Sequence, residues 1–193
     1  DEENHIPGHV SGFGPRAQAL AREIGDGLIT GIPLGGAIPQ TMHNVQNEAK
    51  KSGCSLKNFE TFGLMNILML KSNEKLTDEN VIQQCGSAIM ANVHFIVDWV
   101  KETGNPPPDY IMPFWDEYMD FHKKRDAKRA HMKLHQSHYS YLAPEEARFI
   151  TPDMIRAFTI AGQPEDMIEQ LRELEQQGLG AVNFIAPLEQ QYR

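Results

Sequence analysis

The feature that most constrains this chain is its alternation of short apolar runs with amphipathic helical stretches, punctuated by glycine and proline. Val10 and its neighbours form an extended run that stops at Ser11-Gly12-Phe13-Gly14. Pro15, a favoured first helical residue, opens a helix whose apolar positions are Ala17, Leu20, Ala21 and Ile24, with Gly25 placed to end it. Gly27 to Gly31 reads as a second strand, IPLGGAIP as a loop, and Thr41 to Ser52 as a helix stopped at Gly53. Phe59 to Leu70 reads as a third strand. Thr77 is the expected cap of a long helix with Ile82, Cys85, Ile89, Val93, Ile96 and Val100 on one face, ended by Gly104 and three prolines. Strands that alternate with helices form parallel βαβ units, whose sheet must be covered on both faces.

Residues 109–150 depart from this rhythm. A helix is expected over Asp116 to Arg129, and the TyrSerTyrLeu run after His138 is open between short strand and loop. The rhythm resumes at Thr151-Pro152, a cap and helix start before Met154, Ile155 and Phe158. Pro164 then opens a helix with Met167, Ile168, Leu171 and Leu174 on its stripe, and Gly178 closes it. Ala181 to Ile185 is the last strand. About four strands are visible, near residues 9, 28, 64 and 183. That count fits either half of an eight-stranded barrel or a small doubly wound sheet. The expected organisation is one domain over residues 1–193, with 109–150 as an excursion.

Composition narrows the function classes. The chain has 193 residues, of which 40% are hydrophobic and 23% charged, as in an ordinary globular protein. Its net charge of -8 argues against general affinity for nucleic acid or anionic lipid. The basic run at 122–131 reads as a solvated helix face. Two cysteines, Cys54 and Cys85, make no disulfide framework and suggest a reducing compartment; neither has an activating base visible in the sequence. The run Phe62 to Leu70 is too short to cross a bilayer, and the first residues lack the pattern of a signal peptide. A cytoplasmic location is expected. The absence of an initiator Met suggests a processed chain, a cloned piece or an encoded remnant. Met65, Met69, Met90 and the aromatics near Trp115 read as core.

The turn Ser11-Gly12-Phe13-Gly14-Pro15 is the leading candidate site. Between a strand and a helix N-terminus, backbone amides and the helix dipole suit a phosphate, and Arg16 offers a cation. The other reading is a plain tight βα turn. His135 and His138 are three apart, but no third ligand is visible, so no metal is expected. No Walker loop, GxGxxG or GxSxG motif occurs.

Two blocks carry a resemblance. SGFGPRAQALAREIGDGLITGIP (11–33) and ITPDMIRAFTIAGQPEDMIEQLRELEQQGLGAVNFI (150–185), with HQSHYSYL (135–142) between them, resemble the bacterial-luciferase-like superfamily of flavin- and deazaflavin-dependent oxidoreductases. The likeness runs over residues 9–185. It implies an α/β TIM-like barrel, with only its C-terminal half to two-thirds in this chain. It also implies FMN or the deazaflavin coenzyme F420, with the cofactor phosphate on Gly12, Phe13 and Gly14, and Ser11, Pro15 and Arg16 around it. Thr30 and Gly31, ending a barrel strand, would line the cofactor edge or merely close the strand. Pro33 and Leu34 stand where relatives that bind phosphorylated sugars place a cation. His135 and His138 would sit at the pocket mouth, donating to a ring oxygen or shuttling a proton. The implied function is an oxidoreductase or monooxygenase acting on a small-molecule substrate. The alternative is a non-catalytic half-barrel that assembles with itself or with a missing N-terminal half.

Overall fold

The computed structural model describes residues 5–31, 37–124, 132 and 134–186. The chain divides into two compact units, one of Asp1–Met65 with Pro164–Ile185, the other of Asn66–Gln163 with Ala186–Arg193.

The first unit opens with β1 (His9–Ser11), α1 (Pro15–Ile24), β2 (Gly27–Gly31) and α2 (Ala37–Ser52). The first half of β3 (Glu60–Met69) follows. β1 pairs parallel with β2 and β2 with β3, with Ser11 opposite Ile29 and Ile29 opposite Phe62. Ala21, Leu28 and Val45 form its buried core, with Val10, Leu56 and Phe59 packed against them. The expected stripe of α1 is rotated. Ala21 and Gln18 are buried, whereas Leu20 and Ile24 are 45% and 68% exposed. The helix turns inward a glutamine, because that side chain finds three polar partners there (below).

The second unit holds the rest of β3, then α3 (Glu79–Thr103), a 3-10 turn (Asp109–Ile111) and α4 (Met112–Lys124). After a second 3-10 turn (Ala147–Phe149) come α5 (Pro152–Phe158) and β4 (Thr159–Gly162). β4 pairs parallel with β3, Asn66 opposite Thr159. Cys85, Ile89 and Val93 of α3 pack with Trp115, Tyr118, Phe149 and Ile155. Asp78, not Thr77, takes the N-cap position of α3, its carboxylate accepting from the Lys75 amide rather than from the helix, and Gly104 ends the helix at φ 71, a backbone that side-chain-bearing residues rarely adopt. Thr151 caps α5 by accepting from the Met154 amide.

The chain returns to the first unit with α6 (Pro164–Gln176) and β5 (Ala181–Ile185), which pairs with β3. In α6, Met167 and Leu174 are buried, but Ile168 is 47% exposed and leaves the expected stripe. Met69 is likewise exposed rather than core, whereas Met65 and Met90 are buried. The TyrSerTyrLeu run is turn and coil, not strand.

Two element expectations are corrected. α4 begins at Met112, four residues before Asp116, because Pro113 sits inside its first turn, where no amide is needed; the expected end at Arg129 lies outside the described residues. The strand Thr159–Gly162 was not expected. Its four residues are all buried and follow α5 without a break, so neither alternation nor a turn signal marks it. The fold class is as expected: α/β, with the parallel βα repeats of a partial TIM-like barrel.

Candidate functional site

The βα turn after β1 is held by close approach. Gly12 donates its amide to the Ile29 carbonyl at 2.9 Å, which ties the turn to β2. A Cβ on Gly12 would stand 2.8 Å from Ala17 Cβ and 3.0 Å from the Ala17 carbonyl carbon. Only glycine lets α1 begin this close to the strand end. Gly14 then takes the position preceding the helix, and Pro15 is its first residue. The first helical bond runs from the Gln18 amide to the Gly14 carbonyl.

This geometry redistributes the expected donors. The Gly12 amide is spent on Ile29. The amides of Phe13, Gly14, Arg16 and Ala17 have no carbonyl partner among the described residues. They stand at the positive end of α1, and among the described residues a Cβ added at Gly14 would meet nothing within 4 Å. Among the described residues, nothing fills the space beside Gly14 that an anion's oxygens would use. The Arg16 side chain is exposed.

Three residues missed by sequence reasoning shape the turn from below. Gln18, 4% exposed, donates to the Phe13 carbonyl at 3.2 Å and to Thr41 Oγ1 at 3.3 Å. Asn44 donates to Gln18 Oε1 at 2.7 Å. This network from α2 fixes the Phe13 carbonyl, and so the plane of the next peptide. Nothing local flags it, since its members lie up to 26 positions apart. Thr30 is 2% exposed, and the Phe13 ring lies over Gly31, where an added Cβ would come within 2.5 Å of Phe13 Cε1. The structure thus gathers Ser11 to Arg16 with Gly31 at the carboxyl ends of β1 and β2.

His135 and His138 occupy the second unit. The His135 Nε2 hydrogen donates to Asp98 Oδ2 at 2.7 Å, and the two histidine rings are 6.1 Å apart. Asp98 is the twentieth residue of α3, about 28 Å along the axis from its first residue. β3 leads into that first residue, so His135 is held toward the far end of α3 from the carboxyl end of β3. Beside it lies a buried group that sequence reasoning passed over. His94 and Glu146 are each 1% exposed and Tyr118 is fully buried. His94 Nε2 and the Tyr118 hydroxyl both donate to Glu146 Oε1, at 3.1 and 3.2 Å. The His94 and His135 rings are 5.9 Å apart, edge to face. A lone histidine on an apolar stripe gives no sequence signal of this kind.

Other candidate chemistry is limited. Among the described residues no group of His, Cys, Asp or Glu could hold a metal ion, and no helix is long and apolar enough to cross a membrane. Both cysteines are free thiols, and burial pushes Cys85 up to about 12. An open cleft of about 370 Å³, lined by Gln46, Lys50, Cys54 and Leu56 among others, lies at the C-terminal end of α2. It is therefore at the opposite end of the βα unit from the Gly12 turn. Pro33, Leu34 and most of the basic run at 122–131 fall outside the described residues.

The same residues can be set beside known proteins. The chain is 25% identical over 185 residues to a 5,10-methylenetetrahydromethanopterin reductase of Archaeoglobus fulgidus, covering 95% of this chain and 49% of that protein. Two solved structures share the fold. The coenzyme F420-dependent tetrahydromethanopterin reductase from Methanopyrus kandleri gives a TM-score of 0.53 at 22% identity, over 94% of this chain and 45% of that one. An F420-dependent secondary alcohol dehydrogenase, solved with an F420-acetone adduct, gives 0.52 at 15% identity, over 95% and 44%. The chain thus spans about half the length of these relatives. The family model of luciferase-like monooxygenases matches residues 1–180, and the chain belongs to that family.

Proposed function

We propose that this chain carries the phosphate-holding turn of a flavin- or deazaflavin-dependent oxidoreductase acting on a small-molecule substrate. The observation that carries the reading is the turn itself. Among the described residues, Phe13, Gly14, Arg16 and Ala17 present amides without carbonyl partners at a helix start, and nothing lies within 4 Å of a Cβ added at Gly14. These residues fit a phosphate. FMN and coenzyme F420 both bear one, and the F420-dependent relatives make a deazaflavin reasonable. When bound, such a cofactor would supply the ring that carries hydride. The chain's part is to hold the anion with backbone amides, to fix the turn through Gln18, Thr41 and Asn44, and to shape the approach with Phe13 over Gly31. Arg16 contributes its amide; its side chain is free to serve elsewhere. His135 and His138 receive no step in this proposal, because the Asp98 pairing accounts for the setting of His135.

The test is a thermal melt and a fluorescence titration of the 193-residue chain with FMN and with F420, each to about 1 mM. A ligand that binds only the folded state raises its stability. The expected result is a rise in melting temperature with one of the two, abolished by Gly12→Val. No rise with either overturns the proposal. That outcome favours the second reading, a non-catalytic half-barrel that works by assembly, which the exposed apolar flank of α1 supports.

A further inference from the structure

We propose that the cleft at the C-terminal end of α2 is a thiolation site, where Cys54 exchanges with a small disulfide that carries carboxylates. The inference stands apart from the cofactor reading. The cleft, of about 370 Å³, has the size of a small-molecule pocket, and Gln46, Ala49, Lys50, Cys54 and Leu56 are in its wall. The fold holds that wall in place. The Cys54 amide donates to the Ala49 carbonyl at 3.0 Å, Arg22 of α1 donates to the Ser55 carbonyl, and Leu56 packs against Ala21, Leu28 and Val45. The Cys54 thiol is exposed on this held segment. At 100° per residue, Gln46, Ala49 and Lys50 centre about 160° round α2 from Thr41 and Asn44, which reach Gln18 of α1. The cleft therefore opens on the flank of α2 turned from α1. Met42 is on that flank, and a Cβ added at Gly178 would stand 3.2 Å from its Cγ. A βα unit preceding β1 would stack on the other side of α1, so the opening belongs to α2 and its own loop.

What selects the ligand is charge complementarity. In a chain of net charge -8, residues 46–57 hold three lysines and one glutamate. That glutamate, Glu48, is paired with Lys51 at 3.5 Å. Among the described residues Lys50 and Lys57 form no ion pair, so the ammonium in the cleft wall is left to an incoming carboxylate. Ala49 and Leu56 supply an apolar floor for the carbon chain between carboxylate and sulfur. The exchange balances without any further oxidant. The Cys54 thiolate attacks one sulfur of the small disulfide, and a bond forms from Cys54 Sγ to that sulfur as the ligand's own S–S bond breaks. The other half leaves as a thiolate and takes up the proton that Cys54 gave up. Cys54 is oxidised and the departing sulfur is reduced. An excess of the free small thiol runs the step backward, so the mark is reversible.

The experiment follows adduct formation on the intact chain by mass spectrometry at low ionic strength. The probes are oxidised glutathione, which is anionic, cystamine, which is cationic, and hydroxyethyl disulfide, which is neutral. A single adduct is expected, absent in Cys54→Ser, since Cys85 is buried in the native chain. The rate at Cys54 with oxidised glutathione, divided by that with cystamine, should be about threefold or more higher in the native chain than in urea, where the cleft is gone. Lys50→Glu should abolish that preference and change the hydroxyethyl disulfide rate by less than about twofold, because the thiol itself is untouched. Circular dichroism checks the fold, and Lys50→Gln serves in place of Lys50→Glu if that variant is unfolded. No adduct at Cys54 overturns the proposal. An adduct whose charge preference is the same in urea overturns it too, since an exposed thiol alone would give it. A preference that survives the Lys50 substitution removes the cleft from the recognition and overturns it equally.

Discussion

The buried Glu146 shows how much can hang on one side chain. Its Oε1 accepts from His94 of α3 and from the hydroxyl of Tyr118 of α4, so one carboxyl oxygen joins two helices to the segment before the second 3-10 turn. Removing a partner from a buried polar group leaves the others desolvated and unpaired. Glu146→Ala is expected to cost about 3–5 kcal/mol in urea unfolding, with Glu146→Gln recovering part of it by keeping an acceptor. Equal stability of the two variants would show that the carboxamide oxygen does not replace the carboxyl oxygen. Residues of this kind are hard to read from sequence, because His94 and Glu146 are 52 positions apart and His94 sits in a run that is otherwise apolar. Gly12 is the opposite case. Its role follows from neighbours within five positions, and the Gly-Phe-Gly-Pro string announces the turn. Its contact with Ala17 and the tie of its amide to Ile29 leave no mark in that string.

Among the elements, legibility follows how local the determinant is. Pro15, Thr151 and Gly104 act within one turn of their own position, and α1, α5 and α3 begin or end where those residues stand. The cap of α5 invites a direct measurement. Thr151→Ala removes the acceptor for the Met154 amide and is expected to cost about 1 kcal/mol, read from a denaturant midpoint at unchanged slope. The faces of α1 and α6 were less legible, since apolar spacing says that a stripe exists but not which neighbours it meets. Leu20, Ile24 and Ile168 all fall on the expected stripes and are exposed. A second measurement concerns the junction of α1 and β2. Asp26 accepts from the Gly8 amide and from His5, and these bonds, the Gly8 one first, hold its carboxyl below the usual range. A carboxyl depressed in the folded state stabilises above its unfolded pKa, and that contribution fades as pH falls through the folded value. Asp26→Asn should therefore lower stability at neutral pH and converge with the parent in strong acid. The site is solvent-exposed and the difference small. A gap that stays constant across the acid range would refute the assignment.

For the molecule as a whole, β3 is the element common to both compact units. Its first residues pair with β2 in one, and its last pair with β4 in the other. Whether the two units open together or one at a time is read from thiol labelling. The cysteines supply a reporter of opening, Cys85, and a control, Cys54. Cys54 is exposed in the first unit and should react with a thiol reagent in the native state. Cys85 is 3% exposed in the second, with its thiol pushed up to about 12, and should react only after that unit opens. The proposed cofactor turn is in the first unit. If the units open together, a cofactor at about 100 times its dissociation constant stabilises by about 2.7 kcal/mol and should slow Cys85 labelling about 100-fold. Cys54 labelling should be unchanged, since its thiol needs no opening. Slowing of Cys85 by a ligand bound in the other unit would show that the two units open together. Labelling of Cys85 that ignores a ligand shown by titration to be bound would show that the second unit opens by itself.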